Sequence, residues 1–583
     1  MARKAGTPGT QPGALETGAV RKDWRGRVRI ALIYPNQYHV GMANLGFQQV
    51  YRMFNAMDDI VCERAFLPPP PENRRKVLIT TIESGRPLAD FDIIAFSLSF
   101  ESDYPNILSL LAAAGIPLFS SDRSDASYPL VIAGGVACWL NPEPVSPFID
   151  CFLIGEAEVI LPRFMAVYDP GLEKNSLLKE VAQKVAGVYV PSFYRVSYKP
   201  DGTVGTVEAI RDVPEKIVRV YVKDLSETAT CSAILAPEAS FGNSFLVEVS
   251  RGCPHGCRFC SAGYIYRPPR FRPRNLLERC LREGAAMSDQ MGLVGAAVSD
   301  LPEVGLLCKQ ALLSGCRLSF SSLRADALGP ELIDVLKQSG VKTATIAPDA
   351  GSERMRRVIN KGITEEDILH AVEMLVTAGI PNLKLYFMLG LPGETPEDVA
   401  AVVDLCKRVK ACFLRSSRAL GRIGEITVSL SSFVPKPVTP FQWVGMARPG
   451  ELKNKIGQIK AGLGRVANLS VLADVPRAAY IQALLSRGDR QVSKILVAAH
   501  DVGGNWPQAL KTSSLNTDFY VHRRREPEEC FPWDFMDHGV KKEFLFREYQ
   551  RALAEKVSPD CPMSGDCTIC GVCGPRHSLA GPD

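Results

Sequence analysis

Three cysteines fall within eight residues in the stretch "SRGCPHGCRFCSAGYIYRPPRFR", residues 250–272. Cys253, Cys257 and Cys260 are spaced C-x₃-C-x₂-C, and the next cysteine, Cys280, lies twenty residues further on. Cysteine thiolates hold iron–sulfur clusters, and three on a short loop can hold three irons of a 4Fe–4S cluster. The fourth iron is then open to a substrate or cofactor. The same logic separates catalytic zinc sites, which keep an open position, from closed structural ones. Phe259, beside the last cysteine, would shield such a cluster. The alternatives are a zinc site or an incidental cysteine loop.

A second set closes the chain: Cys561, Cys567, Cys570 and Cys573 in "CPMSGDCTICGVCG", spaced C-x₅-C-x₂-C-x₂-C. Four thiolates saturate a site. It can be an auxiliary 4Fe–4S cluster or a structural zinc. The other ten of the seventeen cysteines are scattered and read as small buried hydrophobes. A long chain with no secretory h-region near its start reads as cytoplasmic, where clustered cysteines are metal ligands more often than disulfides.

These loops need elements to position them. A chain of 583 residues suggests about three domains. With 46% hydrophobic and 22% charged residues it has an ordinary globular composition. No apolar run of about 18 residues is found, which argues against a spanning helix and a membrane partner. The net charge of +5 permits an acidic partner such as RNA without requiring one. Residues 1–26 read as a flexible leader rich in Gly, Thr and Pro. Residues 27–186 alternate strand and helix patterns, for example "RVRIALIYP", "FDIIAFSLSF", "YPLVIAGGVAC" and "IDCFLIGEAE", which predicts a doubly wound α/β domain. Gly134, Gly135 and Gly155 sit at its strand ends, where a ligand or another backbone approaches closely. Residues 187–240 read as a small β region and linker.

Six strand candidates follow: 245–250, 292–298, 317–323, 342–347, 382–389 and 425–433. Helical patterns between them carry Thr or Pro starts and Gly stops. Residues 241–440 therefore predict a partial (β/α)6 barrel, whose chemistry belongs at the C-terminal ends of its strands. The first cysteine loop follows the first of these strands. Residues 441–555 read as mostly helical, and 556–583 as a cysteine-rich metal-binding tail. Arg267, Arg270, Arg272 and Arg274, interleaved with Tyr266 and Phe271, suit either nucleic-acid contacts or anchoring through acidic groups, and the second is the favoured reading.

The cysteine spacing, its place after a barrel strand and the aromatic at 259 resemble the signature of the radical S-adenosylmethionine (SAM) enzymes. The resemblance implies that SAM chelates the open iron. It is then reductively cleaved to methionine and a 5′-deoxyadenosyl radical, with flavodoxin or ferredoxin as the electron donor. It assigns Ser299 and Asp300, in "VSD", to the place where the family carries a Gly-Gly-Glu stretch that holds the methionine amino group. It assigns Ser321 and Arg324 to the ribose and carboxylate. Asp349, Gly390 and Gly393 fall to strand-end motifs lining the adenosine. An α/β domain ahead of such a barrel is similar to the cobalamin-binding-domain class of these enzymes. That implies a corrinoid near Gly134, Gly135 and Gly155, and methyl transfer or methylthiolation of a substrate that RNA would suit. His39 lies in "PNQYHVGMANLG", which lacks the Asp and the spacing of a D-x-H-x-x-G cobalamin turn. The alternative is a non-catalytic iron–sulfur redox sensor or assembly factor.

Overall fold

The computed structural model describes residue 13 and residues 15–69, 78–124, 127–320, 323–421 and 423–573. Six strands form the N-terminal sheet: β1 (Val28–Tyr34), β2 (Ile60–Phe66), β3 (Ile93–Ser97), β4 (Leu130–Gly134), β5 (Cys151–Leu153) and β6 (Val188–Tyr189). Their order is β2-β1-β3-β4-β5-β6. All neighbours are parallel except β5 and β6. Continuous apolar runs such as "IALIY" suit strands buried on both faces, and β2 is buried along its whole length. Helices Leu45–Asn55, Tyr104–Ala113 and Ala157–Val167 connect and cover them.

Two expected boundaries move. β6 falls at 188–189, so the sheet takes its last strand from the segment read as a separate β region. That segment also holds the expected hairpin, Tyr194–Tyr198 against Val204–Ala209. The expected flexible leader does not extend to its later residues. Glu16 forms a buried ion pair with Arg64 at 2.6 Å, and Lys22 donates to the Met57 and Ile60 carbonyls.

All six expected barrel strands are present: Phe245–Glu248, Gln290–Val294, Arg317–Phe320, Thr343–Asp349, Asn382–Leu389 and Ile426–Ser432. A seventh, Leu469–Ala473, lies in the region expected to be helical. The ladders form two parallel sheets among the described residues: the first three strands, and the last four. The first sheet has an apolar core of its own, around Phe245, Val247, Leu277, Leu293 and Leu318. The second shares a continuous core with the N-terminal sheet. Capping boxes at Thr364 and Thr395 start two of the barrel helices, Glu365–Thr377 and Pro396–Ser417, as the Thr starts predict.

Polar ties lock the N-terminal sheet to the rest. Lys436 bonds both Glu101 oxygens at 2.8 Å. Asn141 donates to the Ser486 and Gly488 carbonyls, and Arg490 pairs with Glu143. Helix Lys542–Leu553 then leads the chain back to the mouth of the barrel. No helix among the described residues is long and apolar enough to cross a membrane.

Candidate functional site

The cysteine loop leaves the barrel's first strand through a two-residue pairing of Ser250–Arg251 with Arg270–Phe271. Gly252 must be glycine. Its φ is +81°, and a Cβ there would stand 2.9 Å from the Tyr266 carbonyl. The loop then folds back on itself. The Tyr264 hydroxyl donates to Gly256 O, and Arg267 Nε donates to Gly263 O at 2.7 Å.

Cys257 is buried, and Cys253 and Cys260 are half-buried. Burial pushes the Cys253 thiol up to about 11 and the Cys257 thiol up to about 12, and it raises Cys260 too. Metal binding here must displace protons. The surroundings suit the anionic assembly that would result. Lys361 and Arg324 both act to favour thiolate, on Cys257 and Cys253 respectively. Three thiols that influence one another at a strand end, with two cations beside them, fit a three-thiolate iron–sulfur cluster.

Most other expected residues gather around this loop. Asp300 bonds His255 Nε2 at 2.8 Å, and the Ser299 hydroxyl is buried without a partner. Arg324 pairs with Asp326 and donates to the Lys361 carbonyl. Lys361 pairs with Asp349 at 2.6 Å. Asp349 is deeply buried, which raises its pKa, and Lys361 opposes the rise. Phe259 packs partly buried against the apolar core. Ser321 lies outside the described residues. Gly390 and Gly393 form a turn held from within: Gly390 N donates to Glu394, and Arg354 donates to Gly393 O. A Cβ on Gly390 would meet Leu452 and Ala447, so that glycine answers a packing need.

The three N-terminal glycines line one cavity of about 540 Å³. Its floor is the strand ends of the N-terminal sheet, and its far wall comes from the barrel: Leu246, Glu248, Arg251 and Tyr266. The close approach expected at the glycines is to protein backbone. A Cβ on Gly135 would stand 2.4 Å from Leu98 O, and one on Gly155 2.6 Å from Val220 O. Gly134 has room for a Cβ. Among the described residues no histidine, His39 included, lines the cavity.

The arginines after the loop are used internally. Arg251 and Arg270 converge on Glu156 at 2.8 and 2.6 Å, and Arg251 also pairs with Glu158. Arg272 pairs with Glu248. Burial works against the Glu156 carboxylate, yet Arg251 and Arg270 hold its pKa down to about 2. Arg274 is the outward one, paired with Glu278 and Glu303.

Residues that the sequence did not single out bring the tail to this site. Arg258, 0% exposed, donates to Glu548, to the carbonyls of Arg357, Val358 and Lys556, and to the Ser558 hydroxyl. Asn360 bonds Gly256 and Ser558. His255, inside the cysteine loop, joins Asp300 to Asp560. Its hydrogen bonds to these carboxylates outweigh burial and carry its pKa to about 9.

The comparisons agree with this site. Residues 46–191 match the model of the N-terminal region of radical SAM proteins, and residues 247–406 match that of the radical SAM superfamily. The chain belongs to the radical SAM superfamily. Within it, the chain belongs with the uncharacterised protein MJ0966 of Methanocaldococcus jannaschii. The two are 30% identical over 474 residues, which cover 80% of this chain and 90% of that protein. The uncharacterised methyltransferase PH0819 of Pyrococcus horikoshii is 25% identical over 296 residues, 48% of this chain and 58% of that protein. Among solved structures, the radical S-adenosylmethionine methyltransferase TsrM from Kitasatospora setae, with cobalamin and a 4Fe–4S cluster bound, is similar at 12% identity. The match covers 90% of this chain and 100% of that one, with a TM-score of 0.46.

Proposed function

We propose that the protein cleaves SAM reductively at Cys253, Cys257 and Cys260, and that it holds a corrinoid in the adjoining cavity for methyl or methylthio transfer. One observation carries the reading. The segment 251–266 has cavity wall at both ends, Arg251 and Tyr266, and the three thiols between them. A group in the cavity and a group on the loop are thus neighbours by construction. A sensor or assembly factor has no evident need for that adjacency.

The cavity suits a large, mainly apolar ligand with polar edges. Ala95, Ile132, Ala133 and Leu153 form its base. Trp139 contributes an indole N–H that is buried without a partner, its ring edge-on to Tyr266 at 5.3 Å.

The bound cluster would supply the electron that breaks the SAM sulfonium bond. The chain's own residues do the rest. Asp300, oriented by His255, can accept hydrogen bonds from an amino group. Arg324 can pair a carboxylate. Ser299 offers an unused hydroxyl beside them. The Glu156–Arg251–Arg270 cluster keeps both ends of the cysteine segment fixed against the N-terminal sheet.

The test is anaerobic reconstitution with iron and sulfide, then dithionite and SAM. Methionine and 5′-deoxyadenosine should form in equal amounts. Protein desalted after incubation with hydroxocobalamin should keep corrinoid absorbance, and Gly134→Leu, which fills the cavity, should lose it. Absence of 5′-deoxyadenosine from cluster-loaded protein defeats the catalytic reading. Absence of retained corrinoid from the parent chain defeats the methyl-transfer reading.

A further inference from the structure

The tail is bound to the first cysteine loop at two points of its own cysteine set. Cys561 N donates to the Pro254 carbonyl at 2.8 Å. A member of one cysteine set is therefore one hydrogen bond and one residue from Cys253, a member of the other. At the second point, the Arg267 guanidinium lies against the Cys570 sulfur, between the Tyr264 and Phe544 rings. Arg267 belongs to the loop segment, seven residues past Cys260. Just ahead of the set run the bonds from Arg258, Asn360 and His255 to residues 548–560.

The tail thiols themselves are grouped. The Cys573 sulfur feels those of Cys570, Cys561 and Cys567. A 4Fe–4S cluster gives each of four thiolates an iron of its own, and four grouped thiols suit it. The tail also faces outward: Met563 is 50% exposed and Ile569, between Cys567 and Cys570, is 54% exposed.

We propose that Cys561, Cys567, Cys570 and Cys573 hold a second 4Fe–4S cluster, which passes electrons from a low-potential one-electron carrier protein to the loop cluster. One electron leaves the reduced carrier and reduces the tail cluster by one. The same electron then moves to the loop cluster, and the tail cluster returns to its oxidised state. No bond or proton changes hands. The Arg267 guanidinium, a cation beside a cysteine ligand, raises the potential of the tail cluster by stabilising its reduced form. The proposal rests on the loop cluster of the proposed function, though not on SAM cleavage or on the corrinoid.

The experiment compares the full chain with Cys567→Ala/Cys573→Ala, both reconstituted anaerobically. The parent should bind about eight irons, by ligand count, and the variant about four. Reduced parent should show two interacting paramagnetic centres by electron paramagnetic resonance, and the variant one unsplit signal. Reduced flavodoxin should reduce the variant's loop cluster at least about tenfold more slowly, while dithionite reduces both proteins equally. Arg267→Gln, which keeps every cysteine, should move the tail midpoint potential to more negative values. Zinc in the tail, non-interacting signals, or an unchanged flavodoxin rate each overturn the relay. Interacting centres in a protein that forms no 5′-deoxyadenosine would leave the relay standing and defeat the catalytic reading alone.

Discussion

The two cysteine sets are built by opposite means. The loop set is carried by a strand end and shaped by covalent neighbours. Gly252 turns it, Tyr264 and Arg267 bond back to Gly256 and Gly263, and Arg251 fastens its entry. The tail set has almost no core beneath it. Cys570 and Val572 are its buried residues, and its position comes from long-range bonds to residues 254–267, 354 and 360. A site made locally survives loss of its neighbour. A site made by docking takes its geometry from what it docks on.

The largest test of that contrast removes the local site. Cys253→Ala/Cys257→Ala/Cys260→Ala should abolish 5′-deoxyadenosine formation while iron and sulfide analysis still finds about half the parent content. Retention of all the iron would show that the three loop thiols are not ligands.

Arg258 is the anchor that both sets share, so its loss should blur the contrast. Arg258→Leu takes the nearer of two cations from buried Glu548, leaving Arg551 at 3.8 Å, a defect that costs up to about 3–5 kcal/mol. Urea unfolding should show that loss, and limited proteolysis should cut after residue 553 before the barrel is touched. Resistance equal to the parent would mean that the tail is held by something other than Arg258.

The smallest effect concerns how the loop is tied to the N-terminal sheet. Glu156 has a folded pKa of about 2 against an ordinary 4.5. A lowered carboxyl stabilises the fold fully above about 4.5, and the contribution fades as pH falls towards 2. It is on the order of 3 kcal/mol at neutral pH. Glu156→Gln should be less stable than the parent at pH 7, and the gap in urea midpoint should narrow between pH 4.5 and 2. A gap independent of pH would remove Glu156 from the acid response.

The sequence made both thiol sets readable but left the docking of the second one dark. Thiol spacing and a strand just before it lie within about twenty residues, and that strand appears as expected. The six barrel strands were legible for the same reason, since apolar runs end at turn residues. Leu469–Ala473 escaped because it is a half-exposed strand among helices, with only alternate residues partly covered. The strand-end glycines were read as places where a ligand or another backbone approaches closely. At Gly135 and Gly155 it is the backbone of Leu98 and Val220, and the cavity beside them is where a ligand would come. Arg258 gave no signal, because its partners are as far as 300 positions away and no periodicity links them.

That separation also sets an order of events during synthesis. The cysteine loop leaves the ribosome long before residues 548–558 exist to receive Arg258, and chains fold from the N-terminus as they emerge. Until the last helix is made, an arginine that the finished protein shields completely has no carboxylate to meet, and three thiols stand on an unfinished wall. Iron delivery that waits for residues 548–558 would find the loop braced, and delivery that comes earlier would find it open. That helix and the residues after it thus act as a completion signal for the loop.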